Sequence, residues 1–207
     1  MNILICPGIH PFALTQSFVQ ELELLLSNNS TLNISGNLRI FPAQNYKTLS
    51  ALHIIEFSQE CFGKPQNALP LIFMGFSAGN VGAIGAAWGW QMLGGRVQAV
   101  IAIDGWGVPL VGNFPIHRLS HDRFTHDTSL SLPYSVSALL SFQGSLKNPR
   151  TQEESFYAQP AVDHLEMWRS PATVTGWIVN SDAKVRSRYL SAAEFLHILL
   201  KRYQKIE

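Results

Sequence analysis

Charge is scarce in this chain: 15 Lys and Arg and 14 Asp and Glu among 207 residues, 14% of the total, where an ordinary globular protein carries about 25%. A segment that stays unfolded needs low hydrophobicity and high net charge, whereas here the formal net charge is +1 and 46% of residues are hydrophobic. The chain is therefore expected to fold. Clusters of Lys and Arg are also missing, which argues against nucleic acid as a partner, because affinity for phosphate backbones comes from such clusters. Cysteine is limited to Cys6 and Cys61, no basis for a disulfide framework, so free thiols are expected. The stretch from Met1 to Gly8 has no basic residue and breaks its apolar run at Pro7-Gly8, unlike a secretory signal, and the expectation is a cytoplasmic protein. No Pro/Gly/Ser tract divides the chain, so residues 1–207 read as one domain.

What is abundant is apolar sequence. From Pro65 to Gly95 there is no Asp, Glu, Lys, Arg or His, long enough for a membrane span. Ser77, Asn80 and Gln91 interrupt the run, and Gly75 and Gly79 bracket a turn in its middle, so a strand followed by a helix in a buried core fits better and no transmembrane segment is expected. Strand-like and helix-like patterns alternate on either side. Asn2 to Cys6, Leu38 to Phe41, Leu71 to Met74 and Val97 to Ile103 read as strands. Phe18, Leu22, Leu25 and Leu26 mark one helix, Leu49, Leu52 and Ile55 a second, and Asn80 to Leu93 a third, whose glycines at 82, 85 and 89 would let it lie close against a sheet. The order predicts an α/β fold with a mostly parallel sheet and helices on both faces. Residues 105–137 have no clear periodicity and read as a lid-like excursion or pocket rim after the fourth strand. Ala138 to Phe142 is a candidate fifth strand, Thr173 to Val179 a candidate sixth, and Ala192, Phe195, Leu196, Leu199, Leu200 and Tyr203 trace a final helix.

The residues with chemical potential centre on Gly75-Phe76-Ser77-Ala78-Gly79. A G-x-S-x-G segment between a strand and a helix presents its serine on a sharp turn, with small neighbours permitting close backbone approach. Ser77 is then the candidate nucleophile. The unpaired amides at the start of the following helix make the Ala78 N–H a natural donor to an oxyanion.

On these residues the chain from Asn2 to Ile103 resembles the α/β-hydrolase superfamily. The resemblance implies a second oxyanion amide from the loop Pro7-Gly8-Ile9-His10-Pro11, at Ile9 or His10, and a triad in the order Ser, acid, His. For the acid, Asp104 follows the strand after the elbow, and Glu153 and Glu154, placed after the presumed fifth strand, compete with it. For the base, His164 in Val162-Asp163-His164-Leu165-Glu166 leads, with His121 and His126 as alternatives; the segment Asn180 to Lys184 before the last helix holds no histidine.

A metal reading built on His117, His121 and His126 with Asp122 and Asp127 lacks a clear helical pattern to support its i, i+4 spacing, so neither a metal nor another cofactor is implied. Trp88, Trp90 and Trp106 read as core or pocket walls, with Trp106 near enough to Asp104 to face a substrate. The expectation is a serine hydrolase acting on an ester or thioester of a largely apolar acyl group through Ser77, His164 and Asp104. The alternative is a catalytically incomplete protein of the same fold that binds a small apolar ligand or a protein partner.

Overall fold

The computed structural model describes residues 1–29, 37–129, 153–180 and 185–204. The chain builds β1 (Asn2–Cys6), α1 (Phe12–Asn29), β2 (Leu38–Ile40), α2 (Ala51–Phe62), β3 (Leu71–Phe76), α3 (Gly79–Met92), β4 (Val97–Ile103) and β5 (Ile116–Ser120). A helical stretch α4 over 123–129 follows, then β6 (Glu154–Ala158), α5 (Glu166–Arg169), β7 (Thr175–Asn180), β8 (Val185–Ser191) and α6 (Ala192–Gln204). All eight strands form one sheet in the order β2-β1-β3-β4-β5-β6-β7-β8. The pairings from β2 through β6 are parallel, and β7 and β8 add antiparallel strands at one edge. The fold is α/β with a mostly parallel sheet.

Two apolar layers explain why the central strands read as unbroken hydrophobic runs. In β1, Ile3 and Ile5 point to one face, where they join Ile72, Met74 and Phe76 of β3, Ile101 and Ile103 of β4, and side chains of α1, α5 and α6. Leu4 and Cys6 point to the other, against Leu71, Phe73, Val100 and Ala102 and the buried side of α2 and α3. Both faces are thus covered by helices. The last helix is started by a reciprocal cap: Ser191 Oγ accepts the Glu194 N–H at 3.2 Å and a Glu194 carboxylate oxygen accepts the Ser191 N–H at 2.8 Å. Its predicted stripe is buried throughout. Among the described residues no helix is long and apolar enough to cross a membrane.

Several expectations need correction. The span 105–137 is not one aperiodic excursion, because Ile116–Ser120 is a fully buried parallel strand inside the sheet. Its polar residues hid it: His117 hydrogen-bonds to the Glu154 carbonyl at 2.9 Å and the Tyr203 hydroxyl at 2.7 Å, and Arg118 donates to the Leu110 carbonyl at 2.9 Å. The candidate strand Ala138 to Phe142 lies outside the described residues. Leu52, expected on the buried stripe of α2, is 63% exposed, and Ile54 and Ser58 are buried instead. The α3 glycines serve a helix contact more than a sheet contact. A Cβ on Gly82 would fall 2.2 Å from the Thr48 carbonyl oxygen and one on Gly89 would fall 2.3 Å from Ile55 Cδ1, so they let α3 press on α2 and the turn before it. The final helix follows directly from β8, not from a loop.

Candidate functional site

In parallel strands the C-terminal ends lie on one edge of the sheet, and the loops leaving β1, β3, β4, β5 and β6 therefore share that edge. Ser77 follows β3 directly and adopts φ 50°, a left-handed backbone that costs a residue with a Cβ about 1–2 kcal/mol. The turn is held by close packing. Ser77 N–H donates to the Ile103 carbonyl at 2.9 Å. The Asn80 side-chain amide donates to the Ser77 carbonyl at 3.1 Å and to the Ile103 carbonyl at 3.0 Å, tying the elbow to the end of β4. Neither flanking glycine has room for a side chain: a Cβ on Gly75 would lie 2.4 Å from Asn80 Oδ1, and one on Gly79 would lie 2.1 Å from the Cys6 carbonyl oxygen. Asn80 is a residue that the sequence reading missed; its place in the first turn of the helix after a G-x-S-x-G segment was the available signal.

The loop after β1 lies against this turn, since a Cβ on Gly8 would be 3.1 Å from Ser77 Cβ. Thr48 fixes that loop from below by donating to the Pro7 carbonyl at 2.5 Å. Among the described residues, no group accepts a hydrogen bond from the Ala78 or the Ile9 N–H. His10 does not face solvent freely: its Nε2 is 2.8 Å from Thr15 Oγ1 and its ring meets the edge of Phe76. Burial, with a smaller contribution from nearby His164, lowers its pKa.

Asp104 also has positive φ, 48°, and is buried at the end of β4. Its carboxylate accepts three hydrogen bonds. His164 Nδ1–H donates to Oδ2 at 2.9 Å, His121 Nδ1–H donates to the same oxygen at 3.0 Å, and the His121 backbone N–H donates to Oδ1 at 2.8 Å. The register explains one meeting: Ile103 pairs with Leu119 and Asp104 N–H donates to the Leu119 carbonyl, so the residues leaving β4 and β5 emerge side by side. His164 arrives from the loop after β6, in the turn before α5. Its ring stacks on Phe76, the residue before Ser77, with centroids 4.9 Å apart; Trp168 stacks on Phe76 in turn, and Phe18 on Trp168. Such a stack adds about 0.5–1.5 kcal/mol per aromatic pair and fixes the ring plane.

The two histidines differ electrostatically. His121 sits between carboxylates, with Asp104 on Nδ1 and Asp122 Oδ2 3.7 Å from Nε2. The Asp104 hydrogen bond, opposed by partial burial and reinforced by the charges of Asp104, Asp122 and Asp163, raises its pKa. The His164 side chain is 42% exposed against 25% for His121, and among the described residues its Nε2 has no hydrogen-bond partner.

No protein-family model, curated protein or solved structure matches this chain. The geometry alone must therefore sort the remaining candidates. His126 is buried beside Tyr157, which lowers its pKa, and does not reach Asp104. Glu153 faces Arg118 at 3.9 Å and accepts the Ile116 N–H, while Glu154 pairs with Arg202. Both therefore stand at the start of β5 and β6, the sheet edge opposite Ser77, because Glu154 is the first residue of a strand that the sequence pattern did not mark. His117 is bound at that same far side by Glu154 and Tyr203, so the trio His117, His121 and His126 does not assemble. What does assemble is Asp104, His121 and His164, each offering one ligand atom within 4.8 Å of the others.

Proposed function

We propose that this chain is a serine hydrolase of the α/β-hydrolase kind, cleaving esters or thioesters with a largely apolar acyl group. The observation that carries the reading is the left-handed Ser77 on the β3–α3 turn, at the same sheet edge as a histidine held by a buried carboxylate. In the first step the Ser77 hydroxyl oxygen attacks the carbonyl carbon while His164 Nε2 takes the hydroxyl proton. The Asp104 carboxylate, already bonded to Nδ1–H, stabilises the imidazolium that results. The carbonyl oxygen becomes negative as the tetrahedral centre forms and is met by the Ala78 and Ile9 amides. The imidazolium then returns the proton to the leaving alcohol or thiol, and water, activated by the same His164, releases the acid from the acyl-serine. His164 is the base in this reading because its Nε2 is unclaimed, whereas His121 is drawn toward the cationic form by its carboxylates.

The apolar acyl preference rests on the rim. Ile9, Phe12, Trp106, Phe124 and Leu165 are all exposed and follow β1, β4, β5 and β6, with Ile9, Trp106 and Leu165 on loops and Phe12 and Phe124 in the first turns of α1 and α4. Large exposed apolar side chains gathered at one edge favour an apolar ligand group.

Labelling with a fluorophosphonate probe tests the reading. The wild-type chain should become covalently labelled and hydrolyse a short p-nitrophenyl ester, and Ser77→Ala should do neither while keeping its melting temperature within a few degrees. A folded wild-type chain that takes no label, or Ser77→Ala that labels equally, would refute the assignment and leave the non-catalytic binding protein as the reading.

A further inference from the structure

The geometry points to Asp104, His121 and His164 as a binding site for one divalent transition-metal ion of the zinc type, whose occupancy switches the hydrolase off. This inference rests on the serine-hydrolase reading for its consequence, though not for the binding itself.

The argument starts from ligand chemistry. Two imidazoles and a carboxylate with an open fourth position are a donor set that zinc accepts. In a tetrahedral site with bonds of about 2.0–2.1 Å, neighbouring ligand atoms stand roughly 3.3 Å apart. Asp104 Oδ2 is 2.9 Å from His164 Nδ1 and 3.0 Å from His121 Nδ1, so a small spreading of three side chains makes room for the ion. Two of the three carry a supporting contact already in place. The free Asp104 oxygen, Oδ1, is held by the His121 backbone N–H at 2.8 Å. Asp122 Oδ2 lies 3.7 Å from His121 Nε2, where it would receive the ring N–H once Nδ1 is the ligand. Carboxylates that accept the outer N–H of a ligating histidine orient it and typically account for 10–100-fold in metal affinity. The partial exposure of both histidine side chains gives the ion a path from solvent.

Binding changes the chemistry of His164 in a defined way. In the metal-free chain a neutral His164 keeps its proton on Nδ1, bonded to Asp104, and its lone pair on Nε2. Zinc takes the Nδ1 lone pair of the other tautomer, so the His164 proton moves through solvent from Nδ1 to Nε2 with no net gain or loss; the Nδ1 proton of His121 likewise goes to its own Nε2 when that ring is neutral and to solvent when it is cationic. An Nε2 that carries a proton cannot accept one from Ser77. The ion therefore removes the base without touching the nucleophile.

The full chain, freed of metal with a chelator and titrated with Zn²⁺ in a calorimeter, tests this. One ion per chain should bind the wild type, with the same affinity in Ser77→Ala and at least tenfold weaker affinity in both His121→Asn and His164→Asn. Asp122→Asn should weaken binding by about 10-fold or more. Ester hydrolysis by the wild type should fall to half at the zinc concentration that half-fills the site and recover when the chelator returns. His121→Asn keeps the backbone N–H that holds Asp104, and thermal melts identify any variant that fails to fold. Absence of saturable one-to-one binding, or equal affinity in both folded histidine variants and the wild type, would overturn the site. Full occupancy with undiminished hydrolysis would overturn the switch. One-to-one binding lost in both histidine variants, in a chain that neither labels nor hydrolyses esters, would uphold the site and refute the hydrolase reading alone.

Discussion

His117→Gln should flatten the acid side of the stability curve. His117 is buried in β5, and its hydrogen bonds define its proton: a carbonyl only accepts, so Nδ1–H donates to the Glu154 carbonyl and Nε2 accepts from the Tyr203 hydroxyl. Burial lowers its pKa to about 4 from an ordinary value of 6.5. The unfolded chain then takes up a proton at a pH where the folded chain refuses it, so stability is intact above about 6.5 and is lost as pH falls toward 4. Integrating the difference in proton binding gives a loss of about 2 kcal/mol at pH 5 and about 3 kcal/mol at pH 4 from this one group. That is a large part of a net stability of about 5–15 kcal/mol. His10 and His126, also lowered by burial, act in the same direction, and His121, whose pKa is raised, acts in the opposite one, adding stability below its ordinary value that fades as pH rises through its folded value. These three remain in the variant, so comparing the two proteins isolates His117. Urea unfolding at pH 7.5, 6, 5 and 4 is the assay. The variant should be weaker at pH 7.5, because a buried partner is lost, but should lose about 2 kcal/mol less than the wild type between pH 7.5 and 5. Parallel pH curves for the two proteins would refute the reasoning.

Asp104→Asn should lower ester turnover on the order of 10³–10⁴-fold, because an amide NH₂ facing Nδ1 drives the His164 proton onto Nε2; turnover within tenfold of wild type would remove Asp104 from the mechanism. Gly79→Ala places a Cβ 2.1 Å from the Cys6 carbonyl oxygen and 2.5 Å from that of Pro7. Backbone cannot swing aside as a side chain can, so a loss of about 3 kcal/mol or more, or failure to fold, is expected in denaturant melts. A loss under about 1 kcal/mol would show that the elbow relaxes more than its packing implies.

Of the strands legible in the sequence, β2 and β7 lie at or next to the edges of the sheet and the three central ones have two covered faces. β1, β3 and β4 carry apolar residues toward both helical layers, and the pattern alone is sufficient to find them. β5 was illegible although it too is fully buried, because His117, Arg118 and Ser120 are polar and the partners of His117 and Arg118 come from Glu154, Tyr203 and Leu110, far off in sequence or in a neighbouring loop. β6 was not marked either, so Glu153 and Glu154, placed after the presumed strand Ala138 to Phe142, were read at the edge of the sheet that holds Ser77 when they stand at the other. Ser77 and Asp104 were within reach because each lies next to a strand whose end the apolar run marks. The convergence of His121 with His164 on one carboxylate was not, since it depends on the Ile103–Leu119 register of a strand the pattern concealed. The buried side of α2 was misjudged because Leu52 is apolar yet exposed, and an apolar stripe records composition, not contact.

The backbone at position 77 has a consequence for how this protein would age under selection. Glycine is at ease where φ is positive, whereas serine pays about 1–2 kcal/mol to remain there. A lineage kept only for durability would drift to glycine at that position and grow sturdier. Serine in that conformation is therefore a local cost to folding, and strain of this kind gathers at functional sites.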